Sequence, residues 1–380
     1  MSRLGPIGYF VHHQGRGHAE RAAALANEIV RRRPVTLFCA RDDIFPNMDE
    51  RIEIVTIPSL FEPTGIEASG MANMPMPRTT HCAPIGWPSI IAATARISSW
   101  FAERAPALFI TDVSAELAQL SRLCAVPHVC VLQHGDRSDP GHMVAYEGAV
   151  GLLAPYADRF EQDDRPRRMQ VKTHYAPGVG IELRDIPTQP EARKALGLSS
   201  EREIILVIAG SGGDGTPAAP LTLGARAEPD TRWITIGETQ SSWHETSPGN
   251  LEHRGWVNNP EQWIAAADRI VSSCGNTTAH MVLGARKPWV VVPEWRYFDE
   301  QLCKAAVLER EGCAAVSPHW PSHRNAWDDI WATARALDPN RQKNIADPDA
   351  AEKAAEWLED LCERIWAGYT ENATKLEIVA

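Results

Sequence analysis

Twice in this chain a short run of apolar, β-branched residues ends in a glycine turn, and each time a helical stretch follows. Ile7–Val11 runs into Gln14-Gly15-Arg16-Gly17-His18 and then the alanine-rich segment Ala19–Arg32. Ile204–Ala209 runs into Gly210-Ser211-Gly212-Gly213-Asp214-Gly215-Thr216. A buried strand that turns sharply through glycine into a helix is the opening unit of a doubly wound parallel sheet. After the first turn, Val35–Cys39, Ile52–Ile57, Ala107–Asp112 and His128–Gln133 read as strands, with helices predicted over Ile90–Glu103 and Ser114–Cys124. After the second come Trp233–Gly237, Ile270–Ser272 and Trp289–Val292, preceded by a short helix over Pro190–Leu196. Strands without polar alternation are buried on both faces, as in a parallel sheet covered by helices. The expectation is an α/β fold of two Rossmann-like domains facing a central cleft.

Boundaries follow from the breakers. Residues 1–182 form the first domain and 188–345 the second, with the joint around Pro177-Gly178-Val179-Gly180 and Pro187. In 346–380, Asp347 reads as a helix N-cap with Pro348 at the first helical position. Ala354, Trp357, Leu358, Leu361, Ile365 and Trp366 then share one face, which suits a helix packing back on the first domain. The stretch Ser59–Pro88 has no periodicity, and a loop of that length is more often functional than idle.

Composition removes several classes of function. With 44% apolar and 23% charged residues in 380, the chain can build real cores. A net charge of −11 argues against a nucleic-acid binder. No run reaches the roughly 18 apolar residues of a membrane span, although peripheral membrane contact stays open. The start, MSRLGPIGYFVHH, does not have the shape of a signal peptide. The 8 cysteines form no CxxC pair and read as reduced, mostly buried thiols of a cytoplasmic protein, which is expected as a monomer or homodimer. Of 13 tryptophans only Trp87 and Trp100 precede residue 200, whereas 8 of 13 histidines fall in the first 180, so the halves are not copies of one unit.

The chemistry concentrates at three places. His18 opens the first helix, where an imidazole can take a proton from an attacking hydroxyl near neutral pH; a tight turn with a capping histidine is the plainer alternative. The second turn lacks the Lys-Ser/Thr of a P-loop and the spacing of a dinucleotide fingerprint, which argues against an NTPase or a dehydrogenase. The third place is Trp256–Gln301. There Gly275-Asn276-Thr277-Thr278 stands before a helix and presents amides, hydroxyls and the positive end of the dipole to a diphosphate, or simply caps the helix. Further on, Asp299, Glu300 and Gln301 suit vicinal hydroxyls of a sugar, or else form a solvated loop.

Taken together, Trp256-Val257-Asn258-Asn259, Asp268-Arg269-Ile270-Val271-Ser272, Gly275–Thr278, Gly284, Lys287-Pro288, Val292-Pro293 and Asp299-Glu300-Gln301 resemble the donor-binding region of MurG-type (family 28) glycosyltransferases of the GT-B fold. The turn ending in His18 resembles that family's N-terminal glycine loop, Gly210–Gly213 its second, and Gln133-His134-Gly135 with Pro140-Gly141 its acceptor-side loop. The resemblance implies a metal-independent, cofactor-free, inverting transfer of a sugar from a UDP-sugar to an acceptor hydroxyl, with His18 as base. It assigns the diphosphate to Gly275, Asn276, Thr277, Thr278, Ser211 and Gly212, and the nucleoside to Gly237, Trp256, Val257 and Met281. The donor sugar goes to Glu294, Trp295, Asp299, Glu300 and Gln301, and the acceptor to Gly15, Arg16, Gly17, His134 and Asp136. The chain departs from the family at Met281, where a ribose-binding glutamate is expected, so ribose recognition must differ. It departs again in the leaner Gly15-Arg16-Gly17-His18 loop, where Arg16 reads equally as a phosphate or acceptor contact and as a surface ion pair. A nucleotide-sugar hydrolase or epimerase on the same fold is the alternative enzyme, and a silent nucleotide-sugar binder the alternative outside catalysis.

Overall fold

The structure is a computed structural model that describes residues 5–71, 74–181, 186–210, 213, 215–240 and 246–367. Its first half carries strands β1 (Ile7–Phe10), β2 (Val35–Cys39), β3 (Glu53–Thr56), β4 (Leu108–Asp112), β5 (His128–Val131), β6 (Gly151–Ala154) and β7 (Thr173–Tyr175). Helices α1 (Arg16–Ile29), α2 (Pro88–Arg104), α3 (Ala115–Leu123), α4 (Pro140–Gly148) and the short α5 (Arg167–Gln170) connect them. The second half contains α6 (Gln189–Ala195), β8 (Ile204–Ile208), β9 (Thr216–Pro217), α7 (Ala218–Ala227), β10 (Arg232–Ile236), β11 (Thr239–Gln240) and β12 (Leu251–His253). After these come α8 (Pro260–Ala266), β13 (Arg269–Ser272), α9 (Asn276–Ala285), β14 (Trp289–Val291), α10 (Glu300–Arg310), β15 (Ala315–Val316), α11 (Arg324–Ala336) and α12 (Ala350–Ile365).

Both main sheets are parallel throughout, in the orders β3-β2-β1-β4-β5-β6-β7 and β12-β10-β8-β13-β14-β15. Each reverses direction once, between β1 and β4 and between β8 and β13. At such a switch point the two neighbouring connections leave on opposite faces of the sheet and open a crevice at the strands' C-terminal ends. Most of the apolar runs read as strands are buried, β1, β4 and β8 along their whole length, whereas the edge strand β3 is partly exposed. The fold is the doubly wound pair expected.

Two details of the C-terminal segment differ in outcome. Asp347 does not cap α12; the helix begins at Ala350, with Asp349 at the N-cap. Asp347 is spent on the preceding turn, where its Oδ1 accepts from Asp349 N–H at 3.0 Å and its Oδ2 from Lys353 Nζ at 2.5 Å. The apolar face of α12 packs on α1, with Ala354, Leu358 and Leu361 sharing a core with Leu25, Ala26 and Ile29. Arg33 pairs with Glu359 across that seam and Trp366 Nε1 donates to Ala107 O, so α12 is tied to the first half at both points. Among the described residues, no helix is long and apolar enough to cross a membrane.

Candidate functional site

The two switch points face each other. The helices that start there, α1 and α9, approach so closely that a Cβ on Gly17 would sit 2.9 Å from Thr277 Oγ1. A larger residue at 17 would have to displace the Thr277 hydroxyl.

At the first switch point three side chains interlock. Asp112, at the end of β4, is fully buried and accepts two hydrogen bonds from Arg21 Nη2, at 2.8 and 2.7 Å. His18 Nδ1 lies 3.1 Å from the same carboxylate and 3.0 Å from Arg21 Nη2. A carboxylate only accepts and a guanidinium only donates, so the two contacts compete for Nδ1, and the one with Asp112 is made when Nδ1 carries the hydrogen. That assignment leaves the lone pair on Nε2, the tautomer a general base needs. Burial would raise the Asp112 carboxyl, but the charge of Arg21 and the contact with His18 outweigh it and hold the group far below the usual carboxylate range. His12, 5.4 Å from His18 ring to ring, is pushed down to about 4 by burial and by His18, so it stays neutral. Asp112 is absent from the sequence-derived site because it reads only as the last residue of a strand.

At the second switch point the start of α9 is open. Its N-cap is Gly275, no side chain caps it, and the first intrahelical bond is Ala279 N–H to Gly275 O. The amides of Asn276, Thr277 and Thr278 therefore have no partner within the helix, and neither threonine is used as a cap. An aligned set of free amides at the dipole's positive end is an anion site. Beside it opens a cavity of about 800 Å³ lined by Gly210, Gly237, Trp256, Val257, Thr277, Thr278 and Met281, and on the α1 side by Arg16 and Gly17. Trp256, 61% exposed, offers a free ring face at its rim. Ser211 and Gly212 lie outside the described residues.

The remaining residues fall into three groups. Arg16 is solvent-exposed and pairs with Glu20 one turn on, at 2.6 Å, and the cavity lies beside it. His134 is buried, donates from Nε2 to Phe160 O at 2.8 Å and packs on Tyr156, so it stands behind the cleft wall and not on the acceptor side. Burial also holds its imidazole neutral, well below the ordinary value. Asp136 is tied down by Ser138 and gives its backbone N–H to Phe298 O at 2.6 Å.

Glu294 and Gln301 are linked, since Gln301 Oε1 accepts from Glu294 N–H at 2.9 Å and from Cys274 N–H at 3.3 Å. That carboxamide braces the loop leading into α9. Trp295 and Asp299 are exposed and Glu300 half-buried at the start of α10.

Phe298 crosses the cleft. Its ring sits against Arg137 at 4.7 Å, His142 at 4.7 Å and His81 at 5.1 Å. Phe298 and Asp299 both hold positive φ, 60° and 53°, a strain of about 1–3 kcal/mol each for non-glycine residues. Opposite them Gly135, at φ 121°, leaves room that a Cβ would close to 2.6 Å from Phe298 O. Beneath this plug, His81 Nε2 lies 2.6 Å from Asp139 Oδ1 and His142 Nδ1 2.5 Å from Asp139 Oδ2. His81, Asp139 and His142 are the group with metal-ligand spacing among the described residues. They do not suit a metal as arranged. Arg137 donates to His142 Nε2 at 3.0 Å, which fixes the hydrogen on Nδ1, where a metal would have to bind.

No family model matches the chain. A curated relative, the UDP-N-acetylglucosamine–N-acetylmuramyl-(pentapeptide) pyrophosphoryl-undecaprenol N-acetylglucosamine transferase of Symbiobacterium thermophilum, is 25% identical over 268 residues, 64% of this chain and 67% of its own. Among solved structures, the MurG of Acinetobacter baumannii aligns over 93% of this chain and 99% of its own, at 14% identity and a TM-score of 0.61. The kitacinnamycin glycotransferase aligns over 95% and 100%, at 16% and 0.60. The Arabidopsis thaliana UGT89C1, solved with quercetin, aligns over 98% and 97%, at 13% and 0.63. The structural likenesses give the fold, which is GT-B. With the curated relative beside them, the chain is similar to MurG-type glycosyltransferases.

Proposed function

We propose that this enzyme moves a sugar from a UDP-sugar to an acceptor hydroxyl, with inversion and without a metal. The observation that carries the reading is the His18–Asp112 pair standing directly across the cleft from the open start of α9. In this reading the donor lies in the 800 Å³ cavity, its base against Trp256 and the backbone of Val257 and its ribose near Gly237 and Met281. Its diphosphate meets the amides of Gly275–Thr278. Glu294, Trp295, Asp299, Glu300 and Gln301 surround the sugar.

The acceptor enters past Gly15, Arg16, Gly17 and Asp136. Its hydroxyl gives a proton to His18 Nε2 as its oxygen bonds to the anomeric carbon. The bond from that carbon to the diphosphate oxygen breaks at the same time, and UDP leaves. A single displacement from the face opposite the leaving group inverts the centre. Asp112 stabilises the imidazolium that forms, and the α9 dipole and amides stabilise the charge that develops on UDP. The apolar side chains exposed around the acceptor side, Ile66, Met71, Met74, Met76, Ile85 and Ile91, support an acceptor with an apolar portion. Eight free cysteines suit a cytoplasmic setting.

Product analysis tests the reading. An α-linked UDP-sugar should yield a β-linked product, and only when acceptor is present. Free sugar or an epimer formed without acceptor would replace transfer by hydrolysis or epimerisation.

A further inference from the structure

Thr277 and Thr278, proposed above for the donor diphosphate, line the cavity. Lys304 lies behind them. It sits in the middle of α10 with its side chain buried, and its Nζ donates to Asn276 Oδ1 at 2.8 Å. Asn276 is the first residue of α9, and its Nδ2 reaches Pro155 O in the first half at 3.5 Å. His280 Nδ1 bonds Asn276 O at 2.9 Å, while its buried Nε2 has no hydrogen-bond partner. Lys304, His280 and His134 meet at a void of about 10 Å³, space for one water at most. No carboxylate is within ion-pair distance of Lys304 among the described residues. Buried ammonium groups are rare without a partner, because desolvation costs more than neutral hydrogen bonds return. This one has a single hydrogen bond, and that bond leads to the helix start where an anion would sit.

We infer that Lys304 is a positioning residue for the donor: through Asn276 it supplies the counter-charge to a nucleoside diphosphate bound at the start of α9. The inference rests on the donor-site reading above. It also explains how a site without a metal balances a diphosphate for which dipole and amides supply only partial charge.

A titration consequence follows. Burial lowers the Lys304 ammonium to about 8, with opposing help from Cys274 and Glu300 and a further push down from Arg21 of α1. The other groups facing it hold still near that pH. Burial raises the Cys274 thiol to about 12, His280 is held at about 4 by burial and by Lys304, and His134 lies well below its ordinary value. An arriving diphosphate favours the charged ammonium, so the folded protein takes up a proton on binding.

The test is calorimetric titration of UDP into the full-length protein at pH 8, in buffers of different ionisation enthalpy. UDP itself exchanges little there, since a terminal phosphate titrates near ~6. An uptake of about half a proton per UDP is expected, because a group titrating at about 8 is half protonated at that pH. K304M should abolish the uptake and weaken UDP about 10- to 30-fold, as for a charge one side-chain length from a partly buried diphosphate. Its ligand-free thermal midpoint should be no lower than that of the native protein, since an unpaired buried charge has been removed. Binding by the native protein with no proton uptake would overturn the role of Lys304 whether or not K304M folds, and so would unchanged UDP affinity in K304M. No UDP binding by the native protein at all would overturn the donor site and this inference together.

Discussion

The two switch points have the same architecture and opposite chemistry. Between β1 and β4 the crevice holds a buried carboxylate, a buried guanidinium and an imidazole in contact with both. Between β8 and β13 it holds open helix amides and two hydroxyls, and the buried cation Lys304 is set back behind the helix. The first arrangement can move a proton and the second can hold an anion. A shared backbone solution therefore places two sites, and the side chains at the first helical turn divide the labour between them.

Substitutions at the two ends should separate rate from donor affinity. H18A should lower turnover by about 10²–10⁴ with UDP affinity nearly unchanged, the usual loss of a general base; initial rates alongside calorimetry check this. D112N keeps the shape but loses the charge that favours the imidazolium. It should cost turnover up to about 10⁴-fold, because an amide there can hold the imidazole in the wrong tautomer. It also leaves Arg21 buried without its anion, and a chemical denaturation curve should show about 3–5 kcal/mol of lost stability.

At the other switch point, T277A/T278A should weaken UDP about 10- to 100-fold and leave acceptor KM alone, because hydrogen bonds to a charged phosphate are worth about 1.5–3 kcal/mol. Equal loss of acceptor binding would blur the division. F298A removes the ring held by Arg137, His81 and His142, and should raise KM for both substrates two- to five-fold, of order 0.5–1 kcal/mol for a half-exposed cation–π contact. An effect on kcat alone would place Phe298 in the chemistry and not in closing the cleft.

Much of this was legible in the chain. Apolar runs such as Val35–Cys39 and Ile204–Ile208 are strands because both faces are covered, and no other element suits so short a continuous run. The segment from Pro140 was harder to read. Its Pro-Gly pair looks like a breaker, yet Pro140 starts α4, which Asp139 caps through Gly141 and His142 N–H. β6 and β15 are too short and too alanine-rich to stand out.

The glycine turns and the Gly275–Thr278 segment announced the site, since a local motif encodes a local shape. Asp112 and Lys304 announced nothing. One looks like any strand terminus and the other like any helix lysine, and each acquires its role from a partner far away in sequence, His18 and Asn276. His134 misled for the same reason: a histidine in a loop looks available until the fold buries it against Tyr156. The tryptophan bias is mostly packing, with Trp233, Trp327 and Trp331 stacked in one core, while Trp256 and Trp295 remain exposed near the cleft.

The division of labour is tested most directly by a crystal structure of the enzyme with UDP. The account predicts phosphate oxygens within hydrogen-bond distance of the amides of Asn276, Thr277 and Thr278, with His18 free to face the acceptor side. Phosphates seated instead on the Gly15–His18 turn would contradict it.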